Sequence, residues 1–449
     1  SKIKDIAKKV LSCINPPTKQ CKRLATAITQ GIAFHHSGLH NKQKEIVEDN
    51  FKVGNIKIIC ATPTLAAGLS LPVFRVIIKS LKRYSGKWGM DWIPVLEYLQ
   101  MAGRAGRPEY ETFGEAIVIA KNEDNKEEIY QRYICGEAED IYSKLAVEPV
   151  LRMYVLSLIA SGIIRDTTAL QEFFSKTFWA AQFGDMQKLE LITEKMLDLL
   201  KTWEFVTSND NTPANTSGFT SALSLLKKKN PVVHQLRATQ LGKRVSQLYL
   251  DPLTARELID RINFAQSLKT EKKIQPTSFS YLQMISHTLE MRPLLRIKVA
   301  EQDLVQEQLL AHYEDLLEKE PAEFDLEYHD FMNSIKTTLF FTEWINEVTE
   351  DKLLEKMGVR PGEIRYKLEN ADWLLYASFE LSSLLGYKEI TNDLRKLRIR
   401  VKHGIKEKLL TFMKLKGIGR IRSRKLFSNG IKDMGDLKRI DMASLGLFF

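Results

Sequence analysis

The sequence predicts an α/β domain over residues 1 to 120, followed by a mostly helical remainder that ends in a basic module. Three observations carry this. Short apolar runs alternate with helical patterns from 1 to 120, the order that builds a parallel sheet. From 254 to 403 apolar residues recur at helical spacing with few strand signals. Between 395 and 425, thirteen Lys/Arg face the single acid Glu407, a local +12; subtracting it from the overall +10 leaves −2 for the rest of the chain. A surplus so concentrated marks a phosphate-binding surface more than a solvated face.

Composition bounds the class. The 449 residues suffice for about three domains, and 44% apolar with 27% charged residues describe a folded globular chain. No apolar run approaches the roughly 20 residues that cross a bilayer, and no signal peptide heads the sequence. The expectation is a cytoplasmic, nucleoid-associated protein without membrane contact. Cys13, Cys21, Cys60 and Cys135 form no CxxC pair, so neither a zinc site nor a disulfide framework is indicated.

In the α/β domain, helices are expected at 3–12, 20–30 and 42–51, and strands at 32–34, 56–61, 75–79 and 115–120. The strand ending at Cys60-Ala61 runs into the Thr/Gly-rich loop Thr62-Pro63-Thr64-Leu65-Ala66-Ala67-Gly68, the usual place for phosphate contacts in an open α/β sheet. Further on, Gln100-Met101-Ala102-Gly103-Arg104-Ala105-Gly106-Arg107-Pro108 sets two arginines three residues apart, each after a glycine that lets backbone approach a ligand. Arginine bridges two phosphate oxygens with a planar fork, so the pair suits a triphosphate. Gly/Arg runs also occur in loose nucleic-acid-binding segments, and context decides.

That context is a resemblance. Ile32-Ala33-Phe34-His35-His36-Ser37-Gly38-Leu39, then Ala61 to Gly68, then Gln100 to Pro108 resemble helicase motifs IV, V and VI in order and spacing. They are similar to the second RecA-like domain of superfamily 2 helicases, closest to the archaeal Hjm-type DNA repair helicases. The resemblance implies that Arg104 and Arg107 act as catalytic arginines, that Gln100 and Gly68 join them in holding ATP, and that Thr62 and Thr64 hold DNA phosphates. Ser70 stands where relatives commonly show Asn, so it receives no role. Met101 fits this branch rather than the DEAD-box branch.

No Gly-x-x-x-x-Gly-Lys-Ser/Thr loop and no Asp-Glu magnesium motif occurs in the sequence. Phosphoryl transfer needs a phosphate cradle, a magnesium ligand and a positioned water. The expectation is therefore an N-terminally incomplete RecA-like domain over 1–147, whose ATP and Mg²⁺ are held mainly by a first motor domain absent from this chain, and a polypeptide that does not hydrolyse ATP alone.

Between the second and third motifs, 79–92 reads as a β-hairpin with a Gly/Ser-rich tip. In the resembling helicases such a hairpin pries the duplex apart, and Tyr84 or Trp88 would stack on the last base pair; an ordinary surface hairpin with core-facing aromatics is the plain alternative. Residues 121–147 read as a charged helical connector. Helical patterns at 150–164, 167–174 and 187–203 with alternation at 232–239 describe, through the resemblance, a winged helix over 148–250 with a polar insertion near 207–230. Glu190, Glu194 and Asp198 line its longest helix, so a brace for the motor is favoured over a sequence reader.

The all-α domain, 251–403, matches the family's ratchet-type helical domain. Pro361-Gly362 starts a helix with Ile364, Leu368, Leu374, Leu375 and Leu381 on its core side. Tyr366 and Trp373 are seven residues apart, within about 20° on one face. The resemblance implies an aromatic and a cation here that track single-stranded DNA: Trp373 matches the aromatic, and Arg365 or Tyr366 occupies the cation's place. A buried tryptophan is the plain alternative. Arg398, Arg400 and Lys402 add cations. The last segment, 404–449, resembles a helix-hairpin-helix: Gly417 and Gly419 permit a turn whose N–H groups face a phosphate, with Arg420, Arg422 and Lys425 beside it.

The resemblance thus implies the C-terminal part of an ATP-dependent 3′ to 5′ DNA helicase for forked or branched DNA in repair and replication restart. Expected partners are single-stranded and forked DNA, the first RecA-like domain, and replication or recombination proteins, with the chain a monomer. An RNA helicase of the same architecture and a non-catalytic DNA-binding adaptor are the competing readings. The helix-hairpin-helix argues against the first, and the intact arginine pair against the second.

Overall fold

The computed structural model describes residues 2–14, 17–65, 71, 73–84, 90–106, 112–209 and 235–440. The chain divides into two compact units, Ser1–Ile141 with Pro361–Glu363, and Tyr142–Arg360 with Ile364–Phe449.

The first unit is α/β. Helices α1 (Lys2–Ser12) and α2 (Lys19–Thr29) bury Ile6, Val10, Leu24 and Ile28 at helical spacing. Thr18 caps α2, its hydroxyl accepting from the Cys21 N–H. β1 (Ile32–His35) pairs in parallel with β2 (Ile58–Ala61), and α3 (Asn41–Lys52) makes the crossover. His40 and Gln43 close a capping box at the start of α3. β3 (Arg75–Ile78) pairs in parallel with β6 (Glu115–Val118). Between them, β4 (Lys82–Tyr84) and β5 (Met90–Trp92) form the expected antiparallel hairpin, and α4 (Val95–Ala102) follows. Three of the four sequence-based strands run one or two residues longer than those observed, because their ends leave the ladders, and the first stops one residue short of His35.

The expected 121–147 helix is corrected. Only α5 (Glu123–Ile129) and a π-helical turn over Tyr130–Ile134 are helical. Charged residues there do not continue the helix because Glu139 has other work: its carboxylate accepts from the N–H groups of Val95 (2.6 Å) and Leu96 (3.1 Å), capping α4. These backbone donors hold the carboxyl below its ordinary range.

The second unit begins with α6 (Glu148–Ala160), α7 (Thr167–Ser175), α8 (Phe178–Phe183) and α9 (Met186–Thr202), then an antiparallel pair, β7 (Val206–Asn209) and β8 (Gln235–Ala238). Helices followed by a two-stranded wing match the expected winged helix. It leads into α10 (Gln240–Gln247), where Gly242 packs so tightly on the Phe205 carbonyl that an added Cβ would lie 2.0 Å from its oxygen. The helical domain comprises α11 (Pro252–Ser267), α12 (Ser278–Ser286), α13 (Gln302–Ala311), α14 (Tyr328–Ile345), α15 (Glu350–Met357), α16 (Pro361–Leu384) and α17 (Lys388–His403). One apolar core runs from Leu151 in α6 to Val401 in α17, so the winged helix and the helical bundle are packed as one body. A buried Arg152–Asp251 pair, bidentate at 2.5 and 2.6 Å, fixes the junction. A 3₁₀ segment (Glu407–Lys414), α18 (Arg420–Ser428) and α19 (Met434–Arg439) close the described chain around Ile405, Leu409, Phe412, Leu426 and Ile431.

Candidate nucleotide-completing turn and strand-binding helices

The arginine turn follows directly from the end of α4. Val95 and Tyr98 face the core, which leaves Gln100 exposed on the last turn, and Gly103 caps the helix. The next residues are strapped to the segment before β3: Val73 N–H donates to the Arg104 carbonyl at 3.0 Å, and Gly106 N–H donates to the Val73 carbonyl at 2.7 Å. Gly106 has φ +96°, and a Cβ on the facing Gly114 would lie 2.2 Å from the Gly106 nitrogen. Both positions require glycine, one for its backbone angle and one for close approach. Arg104 is half-buried at this fixed turn.

Thr62 is exposed where β2 ends, its N–H donating to the His35 carbonyl at 3.2 Å, and a 3₁₀ turn over Pro63–Leu65 follows. Gly68, Trp88 and Arg107 lie outside the described residues, as do the side chains of Thr64 and Tyr84 and most of the polar insertion. On the hairpin, Lys82 Nζ sits 4.1 Å from the Trp92 ring centroid and Arg83 pairs with Glu97 at 3.0 Å. The rigid turn with Gln100 and Arg104 fits a supplement to a nucleotide site. Among the described residues no group of three or more His, Cys, Asp or Glu could hold a metal.

Along α16, Ile364, Leu374, Leu375 and Leu381 are buried and Leu368 packs at the margin of the core. Trp373 is half-buried against that core, and its indole N–H donates to the Leu248 carbonyl at 2.9 Å. Tyr366 is 43% exposed, with its hydroxyl donating to the Arg292 carbonyl at 2.9 Å. Arg365 pairs with Glu369 at 2.9 Å. On α17, Arg398 forms a bidentate pair with Asp372 at 2.8 and 2.9 Å and lies 4.6 Å over the Tyr376 ring. Arg400 donates to the Ser278 hydroxyl at 2.7 Å, and burial lowers its pKa. Lys402 is exposed.

The basic C-terminal segment divides by face. Gly417, at φ +81°, and Gly419 are exposed before α18, and Lys425 is exposed on it. Arg422 turns back to donate to the Gly417 carbonyl at 2.8 Å. Arg420 departs from the expected solvent-facing position: its guanidinium lies 5.2 Å over Trp344, with one terminal nitrogen buried. The reason is periodicity: Arg420 and Arg424 share a helix face, and Arg424 pairs with Glu347 on the same side. Residues missed by sequence reasoning are the acceptors, Asp372, Glu347 and Glu380, which sit far from their partners in the chain and leave no local signal.

Three family models match the chain: the helicase conserved C-terminal domain over residues 13–109, a helix-turn-helix domain over 114–207, and archaeal helicase, domain 4 over 279–404. Among curated proteins, the ATP-dependent DNA helicase Hel308 of Methanococcus vannielii is 36% identical over 97% of this chain and 58% of its own length. Hel308 of Methanocella arvoryzae is 35% identical over 95% of the chain and 54% of its own length, and that of Pyrococcus horikoshii 36% over 96% and 55%. The chain thus spans somewhat over half the length of the curated relatives it matches. With the motif turn and the long helix inside the matched regions, the archaeal Hel308 helicases are homologues of this chain, which carries the helicase C-terminal domain and the archaeal helicase domain 4.

Proposed function

We propose that this chain supplies the nucleotide-completing and strand-handling parts of an ATP-dependent DNA helicase that moves 3′ to 5′ on forked or branched DNA in repair and replication restart. The observation that carries the reading is the 35–36% identity with curated DNA helicases over 95–97% of the chain. In this reading ATP, with Mg²⁺ held mainly by a first RecA-like domain, supplies the phosphoryl-transfer energy. Arg104 and Arg107 then stabilise charge on the γ-phosphate, and Gln100 senses the nucleotide. The turn strapped to Val73 supports this, since an arginine finger needs a fixed backbone to reach across a cleft.

The strand would run along α16 and α17, with Trp373 stacking and Arg398 and Lys402 contacting phosphates. The Gly417–Gly419 turn with Lys425 would hold the backbone without regard to base identity. The continuous core through the winged helix supports a brace role for that domain. The test is ATP hydrolysis and fork unwinding by this polypeptide, alone and with a first RecA-like domain supplied. Turnover is expected only in the second case, and DNA forks are expected to be preferred over RNA forks; robust turnover by the chain alone contradicts the reading.

A further inference from the structure

Arg398 is not a waiting cation. Its fork is filled by the Asp372 carboxylate, two parallel bonds at 2.8 and 2.9 Å, and its flat face is covered by the Tyr376 ring at 4.6 Å. Tyr376 is itself held from the winged-helix side: Arg244 of α10 reaches its hydroxyl at 3.4 Å and pairs with Glu380 at 2.6 Å. Asp372 immediately precedes Trp373, whose indole N–H is tied to Leu248 at the end of the same α10. Yet the pair is not sealed: the Arg398 and Asp372 side chains are 34% and 31% exposed, so a phosphate can reach both.

A carboxylate and a phosphodiester present the same two-oxygen edge to a guanidinium, and one fork serves only one of them. We propose that Asp372 is a competitor for DNA: it holds Arg398 in an occupied state, and a strand phosphate must displace it before Arg398 can bind. Asp372 is then a positioning residue that weakens strand affinity and lets the contact be released, which a strand that must move past the helix requires. Exchange of one anion for another also makes the contact less salt-sensitive than a free arginine, because Asp372 recovers a cation as the DNA loses one. The inference rests on the strand-binding reading above.

Binding of a fluorescein-labelled single-stranded oligonucleotide to the full chain, measured by anisotropy across a salt series, tests it. Asp372→Asn, nearly isosteric, is expected to tighten binding about 3- to 10-fold at low salt and to steepen the slope of log K against log salt by up to about 0.7, one further phosphate contact. In an Arg398→Ala background the same change is expected to leave the slope unaltered. Circular dichroism checks folding, and Asp372→Ser replaces the asparagine variant should that one be unfolded. An unaltered affinity and slope on removing the carboxylate, or an equal steepening without Arg398, overturns the competition while leaving strand binding intact. Absence of wild-type binding would instead overturn the strand-binding reading itself.

Discussion

The Arg420 guanidinium lies 5.2 Å over the Trp344 ring, and Trp344 in turn donates its indole N–H to the Val401 carbonyl at 2.7 Å. Gly404 closes the contact: at φ +61°, a Cβ there would lie 2.8 Å from the ring. Two arginines of the basic segment, Arg420 and Arg424, are therefore spent on docking α18 against α14 and the Glu347 turn. Burial holds the Arg420 pKa below its usual value, with Glu347 and Glu350 opposing.

Trp344→Ala is expected to cost about 3–5 kcal/mol, the price of a large aromatic removed from a core. Gly404→Ala should cost about 1 kcal/mol or more through its left-handed backbone alone. Urea unfolding of the two variants checks both. A wild-type midpoint for Trp344→Ala would show that the contact contributes nothing.

One face of α16 grips a backbone segment. Lys367, fully buried, donates to the carbonyls of Met291 and Pro293, while Asn370 donates to Glu290 at 2.8 Å and Tyr366 to Arg292 at 2.9 Å. Lys367→Met keeps the volume but strands two carbonyls, and is expected to destabilise by about 2–5 kcal/mol in chemical denaturation. Tyr366→Phe, losing one half-exposed bond, should cost about 1 kcal/mol.

The Glu139 cap on α4 carries a pH signature. Its folded pKa lies below the unfolded value, so its stabilisation is present above the ordinary carboxylate range and is lost as pH falls through the folded value. Thermal midpoints of the wild type and Glu139→Gln should differ near about pH 7 and converge as the pH falls below the folded pKa. A gap that persists in acid would remove the charge from the explanation.

Trp373 cannot be tested by truncation alone. Half-buried and hydrogen-bonded to Leu248, it supports the junction with α10, so Trp373→Ala is expected to lower stability as well as any strand affinity. Trp373→Phe keeps a stacking ring and loses the N–H. Stacking predicts near wild-type strand affinity for the phenylalanine variant and a loss of about 1–3 kcal/mol of binding for alanine, measured by anisotropy under folded conditions.

What periodicity could reach, the sequence made legible. The helical patterns at 3–12, 20–30 and 42–51 fall on α1, α2 and α3, and the apolar spacing of α16 placed Ile364, Leu374, Leu375 and Leu381 on its buried face. The six-residue α8 escaped because it spans less than two turns, and its start rests on the Thr177 cap rather than on a repeat. Residues 135–147 resembled helix by charge alone, which says nothing about where a carboxylate such as Glu139 finds its donors. For the same reason the inward turn of Arg420 and the Asp372–Arg398 pair were out of reach: their partners lie 76 and 26 positions away in the chain. The arginine turn was legible because one of its glycines, Gly106, is required by a positive φ.

The central claim is that this chain handles a nucleic-acid strand through α16, α17 and the basic segment behind them. Equilibrium binding of a single-stranded DNA oligonucleotide to the purified chain, without nucleotide and across a salt series, tests it most directly. The account predicts saturable binding, stronger than to blunt duplex, with log K falling linearly against log salt and weakened in Lys402→Ala and Lys425→Ala variants. No saturable binding at about 50 mM salt, or binding indifferent to both substitutions, would contradict it.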